Sequence, residues 1–374
     1  MAKKKKHKLK PIIKLLLCLI IITVISLLCL SNKENKETNF VPKEKKDNKL
    51  SLIMVGDVLI HSSVYDDAYE DGKYNFNKML SLIKPITSKY DLAFYNQESI
   101  LGGTKLGLSS YPAFNSPQEV GEAFTDIGFN LVSLANNHTL DLGKKGVVAS
   151  TNYWKAKKNV FVSGSYNSLK DRNNIEVKEV NGIQYALLAY TTTTNGITPK
   201  EDYYVNVYSE KQVKKDIDKI KDKVDLILVS MHWGDEYSTE VTKEQEDIAI
   251  YLSNLGVDII IGHHPHVLEP IDYIDNTLVI YSLGNFLSGQ EDLDTRVGAM
   301  VSVEVEKKEG EIVISNPTAT LTYTYYKERK TKTNFKVYPF DKLNNNILPR
   351  YENYYNEYMD ILTFKSGKII KSPI

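Results

Sequence analysis

The chain has 374 residues, and its apolar content of 42% is typical of a folded protein and not of a disordered one. Of its 47 basic and 47 acidic residues, 13 Lys and 4 acidic residues lie within residues 1–50. Residues 51–374 therefore hold 34 basic and 43 acidic residues, and this acidic excess argues against nucleic acid as a partner.

The N-terminal region has the pattern of a membrane anchor. Residues 1–10, MAKKKKHKLK, form a basic leader, and residues 11–30 form an apolar run interrupted only by Lys14. Such a run can cross the ~30 Å hydrocarbon core of a bilayer as a helix. The lysines ahead of it predict a single-pass protein of the cell membrane, with a cytoplasmic N-terminus and an extracellular main domain. A cleaved signal peptide and lipidation at Cys29 are the alternatives.

The rest of the chain divides into three predicted parts. Residues 31–49 are polar and charged, which is typical of a flexible linker. The main domain is predicted at residues 50–340, followed by a peripheral tail with a helix at 341–374. Both cysteines, Cys18 and Cys29, lie in the predicted anchor, so the main domain has neither disulfides nor thiol chemistry.

From Leu50 onward, short apolar runs alternate with amphipathic segments, which predicts an α/β fold. The predicted strands are Ser51–Val55, Asp91–Tyr95, Asn130–Leu134, Ile175–Val180, Tyr185–Ala189, Asp225–Met231, Asp258–Ile261 and Leu278–Leu283. Asn181-Gly182 predicts a hairpin. After Asn285, antiparallel patterns predict a second sheet that packs on the first or extends it.

Helices are predicted between these strands. Ser116-Pro117-Gln118-Glu119 has the pattern of a capping box at the start of a helix. Two further helices are predicted from apolar residues at helical spacing, Val213, Ile217, Ile220 and Val224 in one, and Ile248, Leu252 and Leu255 in the other.

Polar residues gather directly after the predicted strands. The segments are GDVLIH (56–61), NQE (96–98), ANNH (135–138), HWGDE (232–236), GHHPH (262–266) and SLGNF (282–286). In open α/β sheets, ligands bind at this edge. Of the seven histidines in the chain, the five that follow position 61 all lie in these segments.

Each of these residues also has an ordinary structural explanation. Asp57 and Glu98 could be turn or loop carboxylates, and His138 could cap a helix. His264 and His266 are harder to explain in this way, because residues two apart in an extended segment face the same side and can share a metal ion. Histidine, carboxylate and amide together suit Mn, Fe or Zn, and two such ions would activate water for a displacement at phosphorus. Neither a nucleophilic serine elbow nor a phosphate loop occurs in the sequence.

The ordered segments GD…H, N-x-E, ANNH, HWGDEY, GHHPHV and SLGNF resemble the CapA family, which is linked to poly-γ-glutamate capsule synthesis and export and belongs to the calcineurin-like metallophosphatase superfamily. The resemblance covers roughly Leu50–Phe286. It implies a four-layer α/β/β/α sandwich with two divalent metal ions (Mn, Fe or Zn) at one edge of the paired sheets.

The resemblance also implies residue roles. The implied metal ligands are Asp57, His61, Glu98, Asn137, His232, His264 and His266, with His263 as an alternative to one of the last two. Glu98 takes the place of a bridging aspartate, and His138 is the implied general acid. Asn136, Trp233, Glu236, His263 and Asn285 are expected near the substrate or behind the ligands.

Three functions remain open at this point. The first is a membrane-anchored, metal-dependent hydrolase in poly-γ-glutamate capsule synthesis or export. The second is a non-catalytic subunit that binds the polymer or the membrane subunits of its synthase and keeps a structural metal site. The third is a general extracellular phosphoesterase.

Overall fold

A computed structural model of the protein describes residues 48–328 and 330–374. The predicted leader, the predicted anchor at 11–30 and nearly all of the predicted linker lie outside these residues. Within the described part of the chain, no helix is long and apolar enough to span a bilayer.

The strands belong to two large sheets and one short hairpin. In chain order they are β1 (Lys49–Leu59), β2 (Tyr69–Glu70), β3 (Lys73–Tyr74), β4 (Leu92–Gln97), β5 (Leu131–Ser133), β6 (Phe161–Ser163), β7 (Lys178–Val180), β8 (Ile183–Thr191), β9 (Leu226–His232), β10 (Ile259–His263), β11 (Ile271–Ile274), β12 (Thr277–Ile280), β13 (Asn285–Ser288), β14 (Val297–Lys308), β15 (Glu311–Lys327), β16 (Thr333–Pro339) and β17 (Ile370–Lys371).

The first sheet has the order β16-β15-β14-β1-β4-β5-β6, with β13 paired to β1 and β17 to β15. The second has the order β11-β12-β10-β9-β8-β7, and β2 pairs with β3. Strands β1, β4, β5 and β6 are mutually parallel, and so are β8, β9, β10 and β12. Each sheet therefore has one edge at which several carboxyl ends meet.

The helices lie mainly in the crossovers between parallel strands. They are α1 (Ser62–Asp67), α2 (Lys84–Thr87), α3 (Glu119–Asp126), α4 (Gly143–Lys155), α5 (Leu169–Asn173), α6 (Glu210–Ile220), α7 (Lys243–Asn254), α8 (Leu293–Arg296) and α9 (Tyr351–Thr363), with 3-10 turns at Thr104–Leu106 and Phe340–Lys342. Helix α7 begins with a full capping box at Thr242, whose side chain accepts from the Gln245 backbone.

Packing divides the domain into four layers. Alternate residues of β1 and β4, such as Leu52 and Phe94, face Leu187 and Leu228 of the second sheet in one buried cluster. The opposite face of the first sheet packs against helices α3 and α4, and that of the second sheet against α6 and α7. Because both sheets are covered on both faces, their central strands are almost wholly apolar, as predicted for an α/β fold.

The structure corrects the predicted elements in two places. Ser116 does not form a capping box, because its hydroxyl donates to Ser99 Oγ at 2.9 Å and α3 begins only at Glu119. The predicted strand 278–283 ends at Ile280 in β12, and Asn285 starts the separate strand β13. The antiparallel strands β14, β15 and β16 extend the first sheet through β1, which is the second of the two predicted arrangements.

The C-terminal tail is less peripheral than the sequence predicts. Its helix α9 buries Tyr358, Met359 and Leu362, which lie on one helical face and join the cluster between the sheets. The hairpin prediction at Asn181-Gly182 is confirmed, since β7 pairs with β8 and both turn residues have positive φ.

Candidate metal centre

The two sheets contribute different chemical groups to one cluster at their carboxyl edges. The first sheet supplies acids, because Asp57 lies near the end of β1 and Glu98 follows β4. The second sheet supplies imidazoles: His232 ends β9, and His264 and His266 follow β10. These side chains are almost fully buried. The parallel topology therefore brings residues more than a hundred positions apart into contact.

Asp57 is the most heavily contacted acid of the cluster. Its Oδ1 accepts a 2.8 Å hydrogen bond from Asn96 Nδ2 and lies 3.3 Å from His263 Nδ1. Its Oδ2 accepts from the His264 backbone at 3.3 Å and lies 3.4 Å from His266 Nδ1. Burial raises the pKa of Asp57, but His263 and His266 outweigh burial and hold that pKa well below its usual value. Asp57 is therefore a buried carboxylate anion.

Glu98 lies opposite the histidines. Its Oε1 is 3.2 Å from His232 Nε2 and 3.8 Å from His266 Nε2, while Oε2 has no hydrogen-bond partner in the described residues. Burial, and then the charge of Asp57, raises the pKa of Glu98 well above its usual value. A buried carboxylate oxygen without a partner is costly unless a cation satisfies it.

The histidines differ in their protonation. Burial lowers the pKa of His232 well below its usual value and that of His264 to about 4, so both imidazoles are neutral at pH 7. Burial also lowers the pKa of His266, but Glu98 and Asp57 outweigh burial and raise it to about 9. Metal binding would release the proton held on His266, since metal ligands must be deprotonated.

The donor atoms fit divalent cations. Candidate ligand atoms lie within 4.8 Å of one another in three groups, which are Glu98, His232 and His264; Asp57, Glu98 and His266; and Glu236, His264 and His266. Several buried atoms in this region have no partner within the described chain, namely Glu98 Oε2, His264 Nδ1 and Asn137 Oδ1. Mixed imidazole and carboxylate donors of this kind suit Mn, Fe or Zn, and Glu98 belongs to two of the groups.

The backbone after β10 is strained where the histidines lie. His264 has φ +101° and His266 has φ +61°, a region that side-chain-bearing residues rarely adopt. Gly262 precedes them where a Cβ would lie 1.8 Å from the Tyr281 carbonyl oxygen, which explains the glycine of the GHHPH segment. Strain of this kind costs about 1–3 kcal/mol per residue and clusters at functional sites.

His138 lies in the loop after β5 and is held by a carboxylate. Its Nδ1 is 2.8 Å from Asp141 Oδ2, which also accepts the Phe114 backbone N–H. Among the described residues, no group bonds to His138 Nε2. The Asp141 contact fixes the ring with Nδ1 protonated or shared, so Nε2 is the nitrogen that can exchange a proton with a bound molecule.

The asparagines of the ANNH segment have different surroundings. Asn136 builds the loop, because its Nδ2 donates to the Gln97 carbonyl at 2.9 Å and its Oδ1 accepts from the His138 backbone at 3.1 Å. Asn137 Nδ2 lies 3.3 Å from Oδ1 of Asn195, in the loop after β8. The Asn137 amide oxygen is buried and has no hydrogen-bond partner among residues 48–328 and 330–374, as an amide-oxygen ligand requires.

His61 is not brought into the cluster of candidate ligand atoms. It belongs to none of the three groups, and its Nδ1 lies 3.0 Å from the Leu59 carbonyl oxygen and 3.2 Å from the Gly289 nitrogen. One of these contacts is a hydrogen bond in either tautomer, so Nδ1 is engaged by the backbone. Burial lowers the pKa of His61 to about 4. The four-residue spacing from Asp57 places His61 at the start of α1, beside the cluster.

The remaining predicted residues surround the cluster. Asn285 Oδ1 lies 3.1 Å from His266 Nδ1 and orients that ring, and His263 stacks on Phe94. Glu236 is exposed at the opening, near His264 and His266. Trp233 does not line the opening, because it is fully buried and its indole N–H donates to the Tyr281 carbonyl at 2.9 Å. It packs beneath the cluster, in the layer of α6 and α7.

Sequence reasoning gave no role to two residues at this site, although one of them, Asn96, lies in a polar segment that it singled out. Asn96 holds Asp57, and Asp141 holds His138. Asn96 precedes Glu98 by two positions, which places both on the same face of an extended segment. Asp141 follows His138 by three positions, a spacing that brings two side chains together in a helical turn. Both spacings are visible in the sequence.

The fold and the site define a mixed α/β protein with a candidate metal centre between two sheets. A family profile described as "Bacterial capsule synthesis protein PGA_cap" matches residues 51–290. The chain belongs to this family.

Two curated relatives are 30% identical to the chain. The capsule biosynthesis protein CapA of Bacillus anthracis aligns over 269 residues, 69% of this chain and 64% of that protein. The matched region therefore spans less than two thirds of that relative. The PGA biosynthesis protein CapA of Bacillus subtilis (strain 168) aligns over 282 residues, 71% of each chain.

Two solved structures are also similar to this chain at low sequence identity. The calcineurin-like phosphoesterase YfkN from Bacillus subtilis has 13% identity and a TM-score of 0.47, covering 83% of this chain and 99% of that one. A 5'-nucleotidase from Candida albicans SC5314 has 12% identity and a TM-score of 0.39, covering 68% of this chain and 48% of that one.

Proposed function

We propose that this protein is a metal-dependent hydrolase that acts in the synthesis or export of a poly-γ-glutamate capsule. The observation that supports it is the cluster of buried carboxylates and imidazoles with unpartnered donor atoms, next to a histidine whose free nitrogen has a carboxylate behind it. The names of the 30% identical relatives supply the link to capsule and PGA biosynthesis.

Named residues would hold two divalent ions. Glu98, His232 and His264, together with the unpartnered amide oxygen of Asn137, would hold one ion, and Asp57, Glu98 and His266 would hold the other, with Glu98 common to both sets. When bound, such a pair supplies an activated water and stabilises the developing charge on both oxygens of a displacement. Asn285 and Asn96 orient His266 and Asp57 from behind.

His138 has the geometry of a general acid. Asp141 holds Nδ1, so Nε2 can donate a proton to a leaving oxygen or nitrogen at the opening of the site. The bond that is cleaved is a phosphoester or an amide. A purely structural metal site would not need a carboxylate-held histidine with a free nitrogen, and this favours catalysis over the non-catalytic subunit.

The cellular setting is part of the proposal. Residues 11–30 would anchor the protein in the cell membrane and place the main domain outside the cell, where the polymer is assembled or released. Partners there would be the polymer and membrane subunits of its synthase.

Turnover tests the proposal. The full-length chain is assayed with Mn²⁺ on bis(p-nitrophenyl) phosphate and on poly-γ-glutamate. We expect turnover that a chelator removes and that His138→Ala lowers by about 10²–10⁴-fold with the metal retained. Bound metal without turnover of either substrate would replace the hydrolase by the polymer-binding subunit.

A further inference from the structure

A basic hairpin lies at the same edge of the first sheet as the metal centre. Strand β1 runs toward Asp57 and pairs antiparallel with β14, with Val55 opposite Met300. Strand β14 in turn pairs with β15, with Val297 opposite Tyr323. The end of β15 and the start of β16 therefore lie beyond the carboxyl end of β1, on the side of the site.

The charge of this hairpin is opposite to that of the domain around it. Lys327, Lys330, Lys332 and Lys336 fall within ten residues with Glu328 as the single acidic residue among them, although residues 51–374 carry an acidic excess. We call these four lysines the basic hairpin. Lys327 and Lys330 are exposed, and within the described residues neither forms an ion pair. Their charges are therefore available to a partner in solution.

A short segment joins the basic hairpin to the cluster. Lys332 Nζ donates to the Gly289 carbonyl at 2.7 Å and pairs with Glu291 at 2.9 Å. The Gly289 nitrogen lies 3.2 Å from His61 Nδ1. The next residue, Gln290, accepts through Oε1 from Asn285, which orients His266. One three-residue segment thus lies between the lysines and the metal ligands.

We infer that the basic hairpin is the docking surface for a polycarboxylate chain, which it holds across the opening of the metal centre. A chain with one carboxylate per repeat can bridge several lysines at once, whereas a small substrate cannot. Attraction between such a chain and the exposed lysines also offsets the repulsion from the acidic remainder of the domain. The inference rests on the proposed function, because it names the binding surface of its polymer substrate.

A charge-matched pair of variants tests it. Lys327→Gln/Lys330→Gln removes two charges beside the site. Lys49→Gln/Lys308→Gln removes two exposed charges at the opposite end of the same strands, where both lysines pair with Glu306. The full-length chain is titrated into fluorescein-labelled poly-γ-glutamate, and anisotropy is recorded at low and at physiological salt. Turnover of bis(p-nitrophenyl) phosphate is measured in parallel.

We expect Lys327→Gln/Lys330→Gln to weaken polymer binding by about threefold to tenfold at low salt, since each exposed ion pair contributes only modestly to affinity. The difference should shrink at physiological salt, and the control variant should bind like the wild type. Turnover of the small phosphodiester should be the same in all three proteins.

Three results would overturn the inference: unchanged polymer binding in Lys327→Gln/Lys330→Gln, an equal loss in the control variant, or competition by polyphosphate as strong as that by unlabelled poly-γ-glutamate. Any of these with normal phosphodiester turnover removes the docking surface and leaves the hydrolase proposal intact. If the hairpin variant loses polymer binding and the wild type does not turn over the phosphodiester, the hydrolase proposal is wrong and the docking-surface inference stands.

Discussion

The two ends of the parallel strands use the same residue types for different purposes. At the amino ends, Asp91, Asp225 and Asp258 each accept a backbone N–H from the neighbouring strand. The donors are Ser51 at 2.9 Å, Gln184 at 2.9 Å and Ile227 at 2.7 Å. These aspartates complete the hydrogen bonding of the sheet, so their role is structural.

At the carboxyl ends, the acids face imidazoles, and some atoms that could bind a metal have no hydrogen-bond partner in the described part of the chain. Glu98 Oε2 and His264 Nδ1 have no partner in the described chain, and His264 and His266 have strained backbones. The aspartates at the amino ends are only half-buried, whereas Asp57 and Glu98 are fully buried, so the two ends differ both in burial and in hydrogen-bond satisfaction. A buried acid signals function only where the surrounding protein leaves it incomplete.

The largest effect should follow from removing the imidazoles of the second sheet. His264→Ala/His266→Ala takes one nitrogen ligand from each proposed ion. We expect metal affinity to fall by more than about 100-fold, because even residues that only hydrogen-bond to metal ligands contribute about 10–100-fold. Elemental analysis of the purified full-length variant measures the loss, and turnover should disappear with the metal.

A core variant is the control for that loss. Ile217→Ala truncates a buried residue of α6, in the outer layer of the second sheet. It should lower the free energy of unfolding by about 2–5 kcal/mol and leave the metal content unchanged. Normal metal content in His264→Ala/His266→Ala would show that the carboxyl ends are as structural as the amino ends.

Asp141→Asn should have the next largest effect. It keeps the shape of the side chain but weakens its hold on His138 Nδ1, which removes the carboxylate that supports proton donation from Nε2. We expect turnover to fall about 10–100-fold with the metal content unchanged and the pH–rate profile displaced. A variant that loses metal and activity together would instead make Asp141 part of the metal centre.

The structural role of the aspartates at the amino ends can be tested through the pH dependence of the unfolding free energy. Burial raises the pKa of Asp258 to about 6, so the folded state binds its proton more tightly than the unfolded state does. The stability that this proton contributes is present below about pH 4 and is lost as the pH rises to about 6. Asp258→Asn keeps the acceptor for the Ile227 N–H without a charge to bury.

When the pH rises from 4 to 7.5, the difference in unfolding free energy between Asp258→Asn and the wild type should therefore shift by about 1–3 kcal/mol in favour of the variant. The metal content of the variant should be unchanged. Urea unfolding at the two pH values measures the gain. A pH-independent difference between the two proteins would mean that the carboxylate is as well solvated when folded as when unfolded.

The smallest effect is expected at the surface of the amino ends. Lys308 and Lys49 both pair with Glu306, at 3.0 and 3.3 Å, and both lysines are largely exposed. Lys308→Gln should change the unfolding free energy by less than about 1 kcal/mol and have no effect on metal binding. Thermal unfolding of the variant beside the wild type measures this. A larger loss would mean that Glu306 depends on this pair.

Much of the site could be predicted from the sequence because its residues follow apolar strands directly. The strand ends fix where Asp57, Glu98, His232 and His264 lie along the chain, and the parallel topology brings those ends together. How the two sheets pack against each other cannot be predicted from one sequence, so the contact between Glu98 and His232 became visible only in the structure.

Local competition explains the wrong cap prediction. Ser116 has a cap pattern, but Ser99 offers its hydroxyl a buried partner that the sequence does not reveal. His61 lies outside the three groups of candidate ligand atoms and the backbone engages its Nδ1, while Nε2 is left for a ligand, so its role as a metal ligand stays a prediction. The sequence marks the aspartates at the amino ends only as strand boundaries, since their backbone partners lie on strands distant in sequence.

The most direct test of the account is anomalous diffraction from crystals of the protein grown with Mn²⁺. The account predicts two anomalous peaks about 3.5–4 Å apart. One should lie among Glu98, Asn137, His232 and His264, and the other among Asp57, Glu98 and His266. The absence of any peak there at saturating Mn²⁺ would contradict it, and the carboxyl ends would then be a buried polar network without a metal.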